Sequence, residues 1–197
     1  MRLVLVRLAF VVVLGLLSPG AARAVDLGEP SVGDPAAPVT IVEYSSFTCP
    51  HCAAFHANTL PELKKRYIDT GKVRLVLRDY PLDQNALTAA VIAHCAGPER
   101  QPQFAEVFFA QQSNWARASD PTAALKQLAQ LGGLGSAEID ACLADKDLEN
   151  AILQAQLDAQ NKYDIRSTPS FIIDGKTYAG GQTIEKFAEI IDPLLGQ

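Results

Sequence analysis

The chain has 197 residues, with 17 lysines and arginines against 22 aspartates and glutamates, so its formal net charge is -5. An acidic chain is a poor partner for phosphate backbones and for anionic membrane surfaces. No basic cluster or low-complexity tract offsets that balance, and nucleic-acid binding is set aside. With 48% hydrophobic residues the length suits one domain with a full core, extended by a sub-domain.

The N-terminus sets the compartment. Arg2 and Arg7 make a positive start, Leu8 to Leu17 is an uncharged apolar run, and "AARA" ends at Ala24 with small residues where a signal peptidase reads. This predicts a secretory signal over residues 1–24, cleaved after about Ala24. An uncleaved anchor is the alternative, but the run is well short of the roughly 20 residues a spanning helix needs. Cleavage removes three arginines and no acid, so the charge of an exported, periplasmic product becomes still more negative.

In chain order, Asp34-Pro35 and Pro38 mark an irregular lead-in. "VTIVEY" (39–44) is then a β-branched, nearly continuous apolar run that suits a strand buried on both faces. From Cys49 a helix carries Phe55, Leu63 and Tyr67, is expected to kink or break at Pro61, and closes at Gly71. "VRLVLRDY" (73–80) is the next strand, which gives the rhythm of a parallel βαβ unit. From Asn85 to about Asp164 apolar residues recur at helical spacing. Asp120-Pro121 reads as an N-cap followed by proline at the first helical position, and Gly97-Pro98 and Gly132-Gly133 read as breaks between helices. "SFIIDGKTYAGG" offers two short strands around Asp174-Gly175. A last helix from near Thr183 shows Ile184, Phe187, Ile190, Ile191 and Leu194 on one face. The chain is therefore expected to be α/β, a small sheet with an all-helical insertion. Its parts run 25–84, 85–164 and 165–197.

The chemistry centres on "SFTCPHCAAF" (46–55), where Cys49 and Cys52 are two residues apart. A haem attachment site needs histidine directly after Cys52, and Ala53 stands there. A zinc site needs two further ligands, and the chain offers no second short-spaced pair. A purely structural Cys49–Cys52 bridge closes too short a loop to stabilise much. A redox-active pair is favoured, with no cofactor and no metal. With Cys49 as N-cap and Pro50 at the first helical position, the donors of the first turn and the positive end of the helix dipole would favour a thiolate at Cys49. A protonated His51 would add to this. Thiolate stabilisation makes the disulfide a stronger oxidant. Cys52, one turn into the helix, would be the resolving cysteine.

Taken in order, Glu43, "CPHC" (49–52) and "STPS" (167–170) around the helical block resemble the DsbA family of exported dithiol oxidases, a thioredoxin-like fold with an inserted all-helical sub-domain. The resemblance covers essentially the whole chain after Ala24. It implies a cis bond at Thr168-Pro169, against the base rate for X-Pro bonds, with the Thr168 backbone free to pair with an extended substrate. Thr168 stands where the best-known enterobacterial member has valine. It also implies that Glu43 is a buried acid that exchanges a proton with Cys52. The plainer reading of Glu43 is a strand-end glutamate reaching solvent. Reduced, unfolded exported proteins are the implied clients, a quinone-linked membrane oxidase of the DsbB type the implied reoxidant, and a monomer the implied state. With Cys49 and Cys52 paired, Cys95 and Cys142 remain, and an oxidising compartment favours a structural disulfide between them over two free thiols. Trp115 reads as packing or insertion surface rather than a client contact, and His56 and His94 read as bland. An exported reductant or isomerase, and a thioredoxin-fold binding module or chaperone, are the competing functions.

Overall fold

The computed structural model describes residues 25–196, so the expected signal segment lies outside the described residues. Five strands form one sheet in the order β1-β3-β2-β4-β5. The β-branched run at its centre is β2 (Val39–Ser45), which pairs in parallel with β3 (Val73–Asp79) and antiparallel with β4 (Ser170–Ile173). At one edge β1 (Ser31–Val32) lies antiparallel to β3, inside the segment expected to be irregular. At the other edge, β5 (Lys176–Ala179) is largely exposed and polar, which protects an open edge from pairing with another chain. The turn between β4 and β5 has Asp174 at φ 48° and Gly175 at φ 71°, the left-handed pair a two-residue hairpin needs.

Alternation along β2 divides the core. Ile41 and Glu43 face the same way as their partners Ile173 and Phe171 on β4. On that face lie the helical segment 50–68 and α9 (Ile184–Leu194), where Phe55, Phe171 and Phe187 meet with ring centroids 4.8 to 5.9 Å apart. Val42 and Tyr44 face the other way, into a smaller cluster with Tyr80, Ala159, Ile165 and Ile172. The Tyr80 hydroxyl donates there to the Ile165 carbonyl at 3.1 Å.

Residues 50–68 stay helical through Pro61, contrary to the expected break. The segment alternates α1 (Pro50–Ala54), a π turn at Phe55–Thr59, α2 (Leu60–Leu63) and a second π turn at Lys64–Ile68. Proline breaks an α-helix because it lacks an N–H and its ring meets the carbonyl four residues back. Here the preceding turn is wide, with the Leu60 N–H bonded to the Phe55 carbonyl, and the ring is accommodated without ending the helix.

Six helices lie between β3 and β4: α3 (Gln84–Cys95), α4 (Gln101–Ala110), α5 (Gln112–Trp115), α6 (Pro121–Leu131), α7 (Ser136–Ala144) and α8 (Lys146–Tyr163). Asp120 caps α6, accepting from the Ala123 N–H at 2.9 Å, with Pro121 at the first position. Helix α3 is the hub, apolar almost all round, and packs against α4, α6, α7 and α8. Cys95 at its end is disulfide-bonded to Cys142 on α7 across a sequence separation of 47. Closing a loop of that length removes roughly 4 kcal/mol of chain entropy from the unfolded state. Trp115 is enclosed, at 1% exposure, and donates its indole N–H to the Phe108 carbonyl. The architecture is the thioredoxin-like sheet with a helical insertion.

Candidate active site

The parallel pairing of β2 with β3 forces the chain after β2 to cross over the sheet, and the crossover begins with the Cys49–Cys52 turn. Cys49 is the N-cap of α1, in extended conformation, and Pro50 takes the first helical position. Cys52 and Ala53 donate their N–H groups to the Cys49 carbonyl, each at 3.2 Å. The sulfur itself takes no capping hydrogen bond, unlike the expected arrangement of first-turn donors around it. Pro50 contributes no N–H, and the Cys49 thiol reaches across to the turn before β4, donating to the Thr168 carbonyl at 3.2 Å. The Thr168-Pro169 bond is cis. The Gly180 N–H holds the Pro169 carbonyl at 2.8 Å, so the hairpin fixes the turn opposite Cys49. Pro50 and His51 are exposed, and Thr168 is buried.

Cys49 and Cys52 are both free thiols, Cys49 at 6% exposure and Cys52 at 0%. Burial pushes the Cys52 thiol far above its ordinary range, and the Glu43 charge adds to the effect; a hydrogen bond from the Ser46 backbone opposes both. Glu43 is fully buried, which removes the reading of a side chain reaching solvent. Its partner is His56, whose Nε2 lies 3.0 and 3.2 Å from the two carboxylate oxygens. His56 stacks on Phe109, with centroids 4.1 Å apart, and its side chain is 6% exposed. It is not the bland histidine expected. The spacing of four residues from Cys52 is visible in the sequence, but the contact with Glu43 that gives His56 its place is not. His94 also has a specific, part-buried partner, Asp79 at 2.8 Å.

Two further residues at the site carry no sequence signal. Gln112 on α5 donates from Nε2 to the carbonyls of Phe47 at 2.8 Å and Cys49 at 2.9 Å. Asp83 caps α3 with one oxygen, accepting from the Ala86 N–H, and with the other accepts from the Thr48 hydroxyl at 2.6 Å. The helical insertion therefore grips the turn that presents Cys49. Cys95 and Cys142 lie within the insertion, apart from this site. Among the described residues, no three His, Cys, Asp or Glu side chains gather as a metal site would require.

A model of the family described as Thioredoxin matches residues 26–193. The crystal structure of alpha-DsbA1 from Wolbachia pipientis is 34% identical, covers 85% of this chain and 91% of its own, and superposes with a TM-score of 0.79. The chain belongs to the DsbA family of thiol:disulfide oxidoreductases. Among curated relatives, a Rickettsia felis protein provisionally named a protein-disulfide oxidoreductase is 36% identical over 173 residues. The match takes in 87% of this chain and 62% of that relative, so this DsbA-family chain spans less than two thirds of the Rickettsia protein's length. BdbD from Bacillus subtilis, at 22% identity and a TM-score of 0.77, shares the fold.

Proposed function

We propose that this DsbA-family protein is an exported dithiol oxidase that donates the Cys49–Cys52 disulfide to reduced, newly translocated proteins. A client thiolate attacks Cys49 Sγ, the Cys49–Cys52 bond breaks, and Cys52 leaves and takes up a proton. The client's second thiolate then attacks its own sulfur in the mixed disulfide and releases Cys49 as a thiolate. Two electrons pass from the client dithiol to the cysteine pair.

The observation that carries this reading is the asymmetry of the two sulfurs. Cys49 stands at the helix start against the Thr168 carbonyl, while Cys52 is enclosed beneath it and strongly favours its protonated form. Attack therefore falls on Cys49, and Cys52 is a sink for the proton released by the client. The cis turn at Thr168-Pro169 offers backbone beside Cys49 to an extended client, and pairing through the main chain tolerates many sequences. Reoxidation falls to a membrane oxidase of the DsbB type, with the enzyme acting as a periplasmic monomer after cleavage near Ala24.

The first test is the reduction potential of the Cys49–Cys52 pair, measured by equilibrating the protein in glutathione buffers of graded ratio. Thioredoxin lies near about -270 mV and strong disulfide donors near about -120 mV. A potential well above thioredoxin's, together with oxidation of a reduced unfolded protein, is expected. A potential close to thioredoxin's would replace this reading with an exported reductant.

A further inference from the structure

The Glu43–His56 pair is buried, yet one atom of it is left over. Nε2 of His56 faces the Glu43 carboxylate, while Nδ1 has no hydrogen-bond partner among the described residues. A buried donor or acceptor without a partner costs about 1–3 kcal/mol and calls for a reason. His56 also lines a cleft of about 230 Å³ that shares no residue with the Cys49–Thr168 contact. Its lining includes the polar residues Ser31, Lys64, Glu99, Gln103 and Glu106. Of the ionisable groups around it, the imidazole contacts Glu43 from β2; Cys52 stands four residues back on its own helix, and Lys64 of the following π turn with Glu99 and Glu106 from the α4 side line the same cleft, Lys64 and Glu106 3.6 Å apart.

We propose that His56 is a positioning residue that passes protons between Glu43 and water in this cleft, by a route separate from the client-binding face. The inference rests on thiol–disulfide exchange at Cys49 and Cys52 and adds the path its protons take. When Cys52 must attack, its S–H proton goes to Glu43 and a proton leaves His56 from Nδ1. The pair passes from carboxylate and imidazolium to carboxylic acid and imidazole, neutral in sum before and after. When Cys52 is the leaving group, the same steps run in reverse. A proton can thus reach or leave the enclosed thiol while a client covers Cys49.

Oxidation of the reduced enzyme by glutathione disulfide separates the steps. Cys49 thiolate first forms a mixed disulfide with glutathione; Cys52 then loses its proton, attacks Cys49 Sγ and releases glutathione thiolate. Only the second step needs the relay. His56→Gln can keep a hydrogen bond to Glu43 but cannot hold the extra proton, and His56→Ala opens a space continuous with the cleft. In both variants the mixed disulfide should accumulate by intact mass, with the second step slowed about ten-fold or more near neutral pH. Its rate–pH profile should move to higher pH. Added imidazole should restore the His56→Ala rate, and pyrazole, of the same size but far less basic, should not. A second step in His56→Gln with the wild-type rate and pH profile, or equal rescue by pyrazole, would overturn the relay while leaving the exchange reaction intact. Failure of the wild-type enzyme to react with glutathione disulfide at all would instead overturn the exchange reading beneath it.

Discussion

Cys52 in the reduced protein is a thiol held protonated by its surroundings, first by burial and then by the nearby Glu43 charge. In the unfolded chain the same thiol titrates near about pH 8.5. The folded value lies higher, so this group's contribution to stability is fully present below that pH. It is lost as pH rises towards the folded value, because the unfolded state releases a proton that the folded state keeps. Above about pH 9 the reduced protein should lose stability faster than a Cys52→Ser variant, with a difference of up to about 1.4 kcal/mol per pH unit. Denaturant midpoints at pH 8, 9 and 10 measure it, and the comparison cancels the lysines and tyrosines that titrate in the same range. Parallel curves would show that Cys52 is not held protonated by the fold. At this scale the sequence reveals the residue types and hides their partners. Cys49, Cys52 and Thr168-Pro169 are legible because their chemistry is tied to short spacings. His56 is not, because its role depends on which face of β2 carries Glu43, and that is set by pairing with β3 and β4.

Between elements, a helix of a single turn has a direct hold on the site. Helix α5 spans four residues, yet its Gln112 side chain bridges the Phe47 and Cys49 carbonyls, which precede and open α1. Without it the Phe47 carbonyl loses its side-chain donor in a half-enclosed setting, while the Cys49 carbonyl keeps the Cys52 and Ala53 N–H groups, at a cost of about 1–2 kcal/mol. Gln112→Ala should lower the melting temperature by several degrees. It should also raise the rate of alkylation at Cys49, since the turn presenting that sulfur is no longer tied to the insertion. Melting curves and a timed reaction with iodoacetamide check both, and an unchanged alkylation rate would confine Gln112 to stability. No local pattern announces such a contact, because 63 positions separate Gln112 from Cys49. The elements themselves are more legible. Hydrophobic spacing finds β2, β3, the hairpin and the helices, while the two-residue β1 is too short for a period and the passage of Pro61 depends on π turns.

Over the whole molecule, the sheet and the inserted helices do not keep separate cores. Phe47, which leads into the Cys49 turn, packs on Phe108 and Phe109 of α4, and His56 stacks on Phe109. One continuous cluster joins Ile41, Leu75 and Phe171 of the sheet to Phe104, Leu125 and Ile139 of the insertion. Separating the two parts would expose apolar surface on both, at about 25 cal/mol per Å², and would break the Gln112 and Asp83 links. They should therefore unfold as one cooperative unit. Two native probes report the parts independently. Trp115, the single tryptophan, lies in the insertion, and Cys52 lies enclosed under the sheet-side helix. In a urea series on the reduced protein, tryptophan fluorescence and pulsed alkylation of Cys52, mapped by mass spectrometry, should give coincident transitions. A fluorescence change completed before Cys52 becomes reactive would mean that the insertion melts alone. The site would then survive without the helices that grip it, and the links through Gln112 and Asp83 would be decoration on a sheet that positions Cys49 by itself.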